Sequence, residues 1–160
     1  MADVNAVRRI VKLNGGRLIG KTRLQKSAYF LESSDVGFGL EFEYHHYGPY
    51  SEELASLAED ARDLQLMKIQ WDTSLNGAEY AIFIDTSGQL PDDPEDRRRS
   101  NILSILRDYT STELELAATA DFLARTGHDQ AWEETARRKS SKITPERVAH
   151  SKALLRRLEQ

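Results

Sequence analysis

Cysteine is absent from this 160-residue chain. That excludes a disulfide framework, a thiolate nucleophile and a sulfur-based zinc site. Histidine is nearly as scarce, and of the four present only His45 and His46 are neighbours. Adjacent residues on a strand face opposite ways, so these two do not converge on one metal ion. Neither a metal nor a cofactor is expected. Apolar runs are short, none approaching the roughly 20 residues that span a bilayer. The opening Met-Ala-Asp-Val-Asn lacks the basic-then-apolar order of a signal peptide. The expected location is therefore cytoplasmic, with no membrane partner.

Hydrophobic residues make up 39% of the chain and charged residues 30%, a composition able to bury a core. The net charge of −4 conceals an asymmetry. Residues 1–31 carry seven basic side chains against Asp3, and residues 32–96 carry sixteen acidic ones against Arg62 and Lys68. Residues 97–160 return to a basic excess, 13 against nine. Such patterning bears on partners rather than on fold.

Ala6, Val7, Ile10, Val11 and Leu13 space a first helix, closed by Asn14-Gly15-Gly16. Arg17-Leu18-Ile19 reads as a short extended piece, and Thr22 as the cap of a helix through Glu32. Leu40, Phe42 and Tyr44 alternate with glutamates as in a strand, and Gly48-Pro49 reads as a turn. Ser51 caps the next helix, with Glu52 and Glu53 in its first turn. Met67, Ile69 and Trp71 form one strand, Tyr80, Ile82 and Ile84 another, joined at Asn76-Gly77, where both residues accept positive φ. The fold class this predicts is mainly α with a small β-hairpin. A winged helix-turn-helix-like part occupies 1–86 and an acidic, proline-containing linker 87–96. A carboxyl-terminal helical bundle extension, 97–160, packs on it. Within that extension Thr110 and Glu113 match a capping box, and Thr144-Pro145 opens the last helix.

Two motifs carry a resemblance. Lys21-Thr22-Arg23-Leu24-Gln25-Lys26 followed by Tyr29-Phe30-Leu31, and then Tyr47-Gly48-Pro49-Tyr50-Ser51-Glu52-Glu53-Leu54, resemble the YwgA-like proteins. These are in turn similar to the SocA-like antitoxins with a Panacea domain. Leu114 to Thr119 and the terminal helix are also similar to the carboxyl half of the YwgA-like group. The resemblance implies a helical domain of winged-helix character and, on the SocA-like side, neutralisation or regulation of a toxin. It implies no defined reaction. Tyr50-Ser51-Glu52 stands where SocA-like proteins usually show a valine-rich segment.

Each remaining seed of chemistry has a plainer reading beside it. Asp92, Asp93, Glu95 and Asp96 offer paired carboxylates, but in a linker, where nothing fixes their separation. Arg97-Arg98-Arg99 reads as a solvated helix start. Gly15 to Thr22 matches the phosphate-loop pattern GxxxxGK[ST] in full, yet a helix precedes it instead of the buried parallel strand such loops follow.

Three functions follow. The first choice is a non-enzymatic regulatory or antitoxin-like module gripping a protein partner, a toxin or a regulatory protein. Its predicted face is Tyr44, Tyr47, Pro49, Tyr50, Glu52, Glu59 and Asp63. The alternative is a DNA-binding regulator. The helix over 51–64 would then enter the major groove, but its Glu52, Glu53, Glu59, Asp60 and Asp63 oppose phosphate approach. Contact with nucleic acid or an acidic partner would fall to Arg17, Lys21, Arg23 and Lys26. The second alternative is nucleotide binding at Gly15–Thr22. A homodimer is compatible with all three.

Overall fold

Asp3 sets the start of the chain's order by accepting the Asn5 amide, and α1, Val4–Leu13, follows. The computed structural model describes residues 2–86 and 88–160. Helix α1 ends where Gly15 and Gly16 take φ of 85° and 84°, a region glycine enters without Cβ strain. After it come β1, Arg17–Ile19, and α2, Lys21–Ser33. The residue before α2 is Gly20, at φ 98° and without a side-chain cap; the expected capping by Thr22 does not occur, because Thr22 already lies inside the first turn. Helix α3, Glu52–Asp63, is capped by Ser51 on the Leu54 amide, as its sequence predicts.

Strands β4, Met67–Thr73, and β5, Glu79–Asp85, form an antiparallel hairpin, and β1 pairs with the other edge of β5. The order β1-β5-β4 puts β5 in the middle. Ala81, Ile82 and Phe83 are accordingly all buried, so the alternation read from this segment is replaced by the continuous apolar run of a covered strand. At the tip only Gly77 takes positive φ. The Gly77 amide reaches Ser74 O, and the Ser74 amide reaches Ala78 O. This is a three-residue loop with a left-handed glycine rather than the two-residue turn expected of Asn76-Gly77.

A second antiparallel pair, β2 Glu43–His45 and β3 Gly48–Tyr50, lies between α2 and the carboxyl-terminal helices. Here the sequence reading needs correction. The chain turns at His46-Tyr47, and Gly48-Pro49-Tyr50 is the returning strand. Strand character begins at Glu43, not at Leu40. The architecture among the described residues is thus mixed α/β, with seven helices and two small antiparallel sheets, not helices with one hairpin.

Helix α4 spans Asp96–Leu106, α5 Ser111–Arg125, α6 Ala131–Arg138 and α7 Pro145–Leu158. The Thr110–Glu113 capping box forms in both directions, and Thr144 caps α7 ahead of Pro145. Leu114, Leu116, Ala117 and Ala118 are fully buried, so α5 is the central helix. One hydrophobic cluster joins Val7, Ile10, Leu31 and Phe83 to Leu103, Leu114 and Leu154. The segment 88–96 is tied down: Gly88 O accepts from Arg8 and Lys12, Pro91 O accepts from Arg9, and Arg9 pairs with Asp96. Arg99 is no solvated helix start. It is buried, donates to Val36 O at 2.6 Å, and pairs with Asp93 and Asp96.

Gly48 (φ 90°) packs so closely on α5 that a Cβ would overlap Thr119 Oγ1. Gly77 has a similar φ of 87° with nothing within 4 Å. Gly77→Ala is expected to cost only the left-handed strain, about 1–2 kcal/mol. Gly48→Ala should cost at least about 1 kcal/mol more, from overpacking. Urea denaturation of both variants measures the difference; equal losses would remove the close-approach role of Gly48.

Candidate functional site

The β2–β3 hairpin is held from below by side chains rather than by a third strand. Gln25 on α2 uses its amide twice, donating to Ser51 O at 2.9 Å and accepting from Ser51 N at 2.8 Å. This copies the paired hydrogen bonds of a strand neighbour. Lys26, next in sequence and 1% exposed, donates to Pro49 O at 2.7 Å. From the other side Lys139 donates to His46 O at 2.7 Å. Glu115 on α5 pairs with Lys139 at 3.1 Å and Lys142 at 2.8 Å. Burial pushes the Lys26 ammonium down to about 8 from an ordinary 10.5; Glu115 opposes the fall, while Lys139 and Lys142 add to it.

Two surface features meet at Tyr50, whose ring stacks on His45 with centroids 4.8 Å apart. On one side is a pocket of about 140 Å³ between α2, α3 and β4, with Tyr50, Ile69 and Trp71 as its apolar walls and Lys21, Glu59 and Arg62 at its edge. Trp71 is 55% exposed and carries the Lys21 ammonium 5.0 Å from its ring centre. On the other side is an open groove of about 470 Å³, lined by Glu41, Glu43, Glu52 and Glu53. Tyr50 borders both.

The predicted site residues divide accordingly. Tyr50, Glu52 and Glu59 come together on this face. Tyr47 is 51% exposed at the hairpin tip, with the Lys142 ammonium 4.7 Å from its ring centre. Tyr44 is half-buried beneath Arg138 on the opposite side of the hairpin. Pro49 is buried and offers its carbonyl inward to Lys26, so it is a fixture of the hairpin rather than a contact. Asp63 is exposed at the far end of α3, paired with Arg62 at 3.2 Å, and lines neither feature.

The basic set shrinks. Arg17 and Lys21 are exposed. Arg23 spends its guanidinium on Leu106 O and Tyr109 O at 3.0 and 2.6 Å, where it fastens α2 to the end of α4. Lys26 is inside. Neither offers a charge to a phosphate, correcting that part of the expected surface. The Gly15–Thr22 stretch forms no phosphate cradle. The Gly16 amide donates to Val11 O and Lys12 O, the Gly20 amide to Ala81 O, and β1 between them lies in an antiparallel ladder. A phosphate loop needs such amides converging on open space. On α3, Glu52, Glu53, Glu59, Asp60 and Asp63 are all exposed. Among the described residues no group of His, Asp or Glu is placed to hold a metal ion, and no helix is long and apolar enough to cross a membrane.

Sequence reasoning missed Trp71 and the Glu41–Glu43 pair as surface, having assigned both to strands. The exposed aromatic at the outer end of an alternating segment was the available signal.

No family model matches the chain. A stretch of 51 residues is 37% identical to the uncharacterised protein YwgA of Bacillus subtilis (strain 168), taking in 32% of this chain and 31% of that protein. The similarity supports a YwgA-like relation over about a third of either chain.

A basic group whose pKa falls on folding binds its proton more tightly in the unfolded chain. The penalty from Lys26 is therefore complete below pH 8 and recedes as pH rises from about 8 towards 10.5. The stability difference between wild type and Lys26→Met should move in favour of wild type across pH 8 to 10. Its slope should approach about 1.4 kcal/mol per pH unit. Urea midpoints at intervals of pH measure it, and a flat difference would show that Lys26 titrates as an ordinary lysine.

Proposed function

We propose that this chain is a non-enzymatic regulatory or antitoxin-like binding module that holds a basic, partly apolar segment of a protein partner across Tyr50. The observation that carries the reading is that the glutamate-lined groove and the Trp71 pocket flank one tyrosine, Tyr50, which borders both. Such a face combines its parts in a way that suits peptide recognition. The carboxylates steer a cationic segment and select its register, and the aromatic walls desolvate an apolar side chain and supply most of the affinity. A small pocket of about 140 Å³ is the size of a side chain rather than of a nucleotide.

The scaffold proposed is a winged helix. The order α1-β1-α2, then α3-β4-β5 after an inserted β2–β3 hairpin, with sheet order β1-β5-β4, supports that reading. The resemblance of the Lys21–Leu31 and Tyr47–Leu54 motifs to YwgA-like and SocA-like, Panacea-domain proteins implies the same scaffold, and the role of the SocA-like group against toxins is the source of the antitoxin proposal. DNA reading is disfavoured within the same scaffold. Its recognition helix would be α3 with five exposed carboxylates, and the 74–78 tip holds no basic residue. Phosphate contact releases counterions only where a cation meets it, and Arg17 and Lys21 are too few for that. Nucleotide binding at Gly15–Thr22 is disfavoured because the Gly16 amide is spent on the end of α1 and the Gly20 amide on β5.

Panning short random peptides on the immobilised protein tests the face without a known partner. Enriched sequences are expected to combine several Lys or Arg with one large apolar side chain. Their affinity should fall about tenfold or more with Tyr50→Ala or Trp71→Ala, as for truncation of a central aromatic anchor. Glu52→Lys with Glu53→Lys should mainly slow association and flatten its salt dependence. Enriched peptides without a basic bias, or ones indifferent to Tyr50 and Trp71, would sink the proposal.

A further inference from the structure

The hairpin has a second side. Between it and the end of α6 lies a cleft of about 350 Å³ lined by Tyr44, His45, His46, Arg138, Lys139, Ser141 and Lys142. No carboxylate is among these lining residues. Beneath the cleft Glu115, with its side chain 4% exposed, is shared between Lys139 at 3.1 Å and Lys142 at 2.8 Å. Lys26 lies close enough to Glu115 and to both lysines for their charges to act on it.

The charges of this cluster do not cancel. Two ammonium groups, Lys139 and Lys142, pair with the one Glu115 carboxylate, and the Lys26 ammonium behind them lies within reach of its charge. Arg138 shares Glu134 with Arg137, and Glu43 stands 3.9 Å from His45 at the cleft, so five cations meet three carboxylates and the excess is about two. Buried or half-buried cations are normally matched by anions, because a low-dielectric surrounding makes an unmatched charge costly. Lys139 is as buried as Glu115, with its side chain 6% exposed, yet the cleft above it is open. The missing negative charge has room to come from outside the chain.

The donors in the cleft specify its chemistry. Arg138 is held with its guanidinium 4.7 Å from the Tyr44 ring centre, which fixes a planar fork at one wall. The Lys142 ammonium is anchored by both oxygens of Glu115, at 2.8 and 2.9 Å, on the other. His46 and Ser141 add polar groups between them. A tetrahedral oxyanion accepts from several directions at once, and a phosphomonoester carries about −1.5 to −2 at neutral pH, close to the excess. The structure assigns a binding site: we propose that the Arg138–Lys142 cleft receives a phosphate dianion, free or as the terminal group of a small phosphomonoester. This site is separate from the Tyr50 face, and its success or failure leaves that reading untouched.

Calorimetry at constant ionic strength in a chloride background tests it, with inorganic phosphate in one arm, AMP in a second and acetate as the monoanion control. Wild type should take up phosphate or AMP saturably and acetate far more weakly. Tighter AMP assigns the site to phosphorylated small molecules, and tighter phosphate to the free ion. Arg138→Ala and Lys142→Ala, both at partly exposed side chains and each checked for native circular dichroism, should weaken uptake about tenfold, the range for a charge-assisted hydrogen bond. No saturable uptake of either dianion overturns the proposal, as does uptake unchanged in both variants or matched by acetate. A single-stranded oligonucleotide retained through Arg138 and Lys142 while both small dianions fail also overturns it, in favour of a phosphodiester backbone.

Discussion

The Lys26 ammonium, 2.7 Å from Pro49 O and 1% exposed, sits with the adjacent Gln25 amide under the strand that carries Tyr50. Most of the surface architecture depends on these contacts. A two-stranded ribbon is marginal in water by itself, and this one has three residues in each strand. It persists because its carbonyls are taken up by side chains from α2 and from the end of α6. Glycine at 48 lets its backbone lie against Thr119 on α5. Thr119 Oγ1 is buried without a hydrogen-bond partner, which fits a site where backbone approach takes precedence over polar satisfaction. Burying a lysine for this purpose is costly, as its lowered pKa records. Glu115 offsets part of that cost while creating the arrangement of two further lysines.

A hairpin fixed in this way separates two electrostatic environments. Side chains alternate across a strand. Glu43 pairs in register with Tyr50, and both border the acidic groove, whereas Tyr44 points to the basic cleft, joined there by His45 and His46 from the turn end of the strand. Opposite charge therefore lies on the two sides of a ribbon one residue thick. At physiological salt the screening length is about 8 Å, so each side presents its own sign to a partner at contact distance even though the chain as a whole is only mildly acidic. The net charge of −4 describes neither.

Much of the fold was legible because local signals and tertiary packing agree. The Ser51 and Thr110 caps, the Thr144-Pro145 start and the Met67–Asp85 hairpin all follow from patterns a few residues long. What was not legible was the use of charged residues far apart in sequence. Arg99 reads as one of three surface arginines, yet the fold passes residues 36–37 over it and buries it. Arg23 and Lys26 sit off the apolar row of α2, the usual mark of a solvated face. Here α2 is covered by β3 and by α4 and α5, so the helix has little outside left. The Gly-Pro pair misled for a related reason: proline in a strand is confined to edges or special positions, and β3 is an edge whose missing pairing is supplied by Lys26 and Gln25. Of the residues proposed for the face, Tyr50, Glu52 and Glu59 were singled out from sequence, and the fold brings them together. Trp71 was not, because exposure at the end of a strand is decided by where the neighbouring helices stop.

The loss of Arg23 and Lys26 from the surface also changes the balance between the proposed partners. With them, α2 would present a basic stripe able to answer the acidic α3 and leave both nucleic acid and protein open as ligands. Without them, the exposed cations near Tyr50 are Lys21 and Arg62. Lys21 lies over Trp71, and Arg62 is drawn to Asp63. Local pairing leaves little positive field for phosphate, while Glu41, Glu43, Glu52 and Glu53 stand together without a lysine or arginine among the groove's lining residues. Four carboxylates around an open groove repel one another and gain from an arriving cation. A cationic segment with one apolar side chain would answer both the groove and the pocket, which is the ground for proposing a protein partner at this face ahead of a polyphosphate chain.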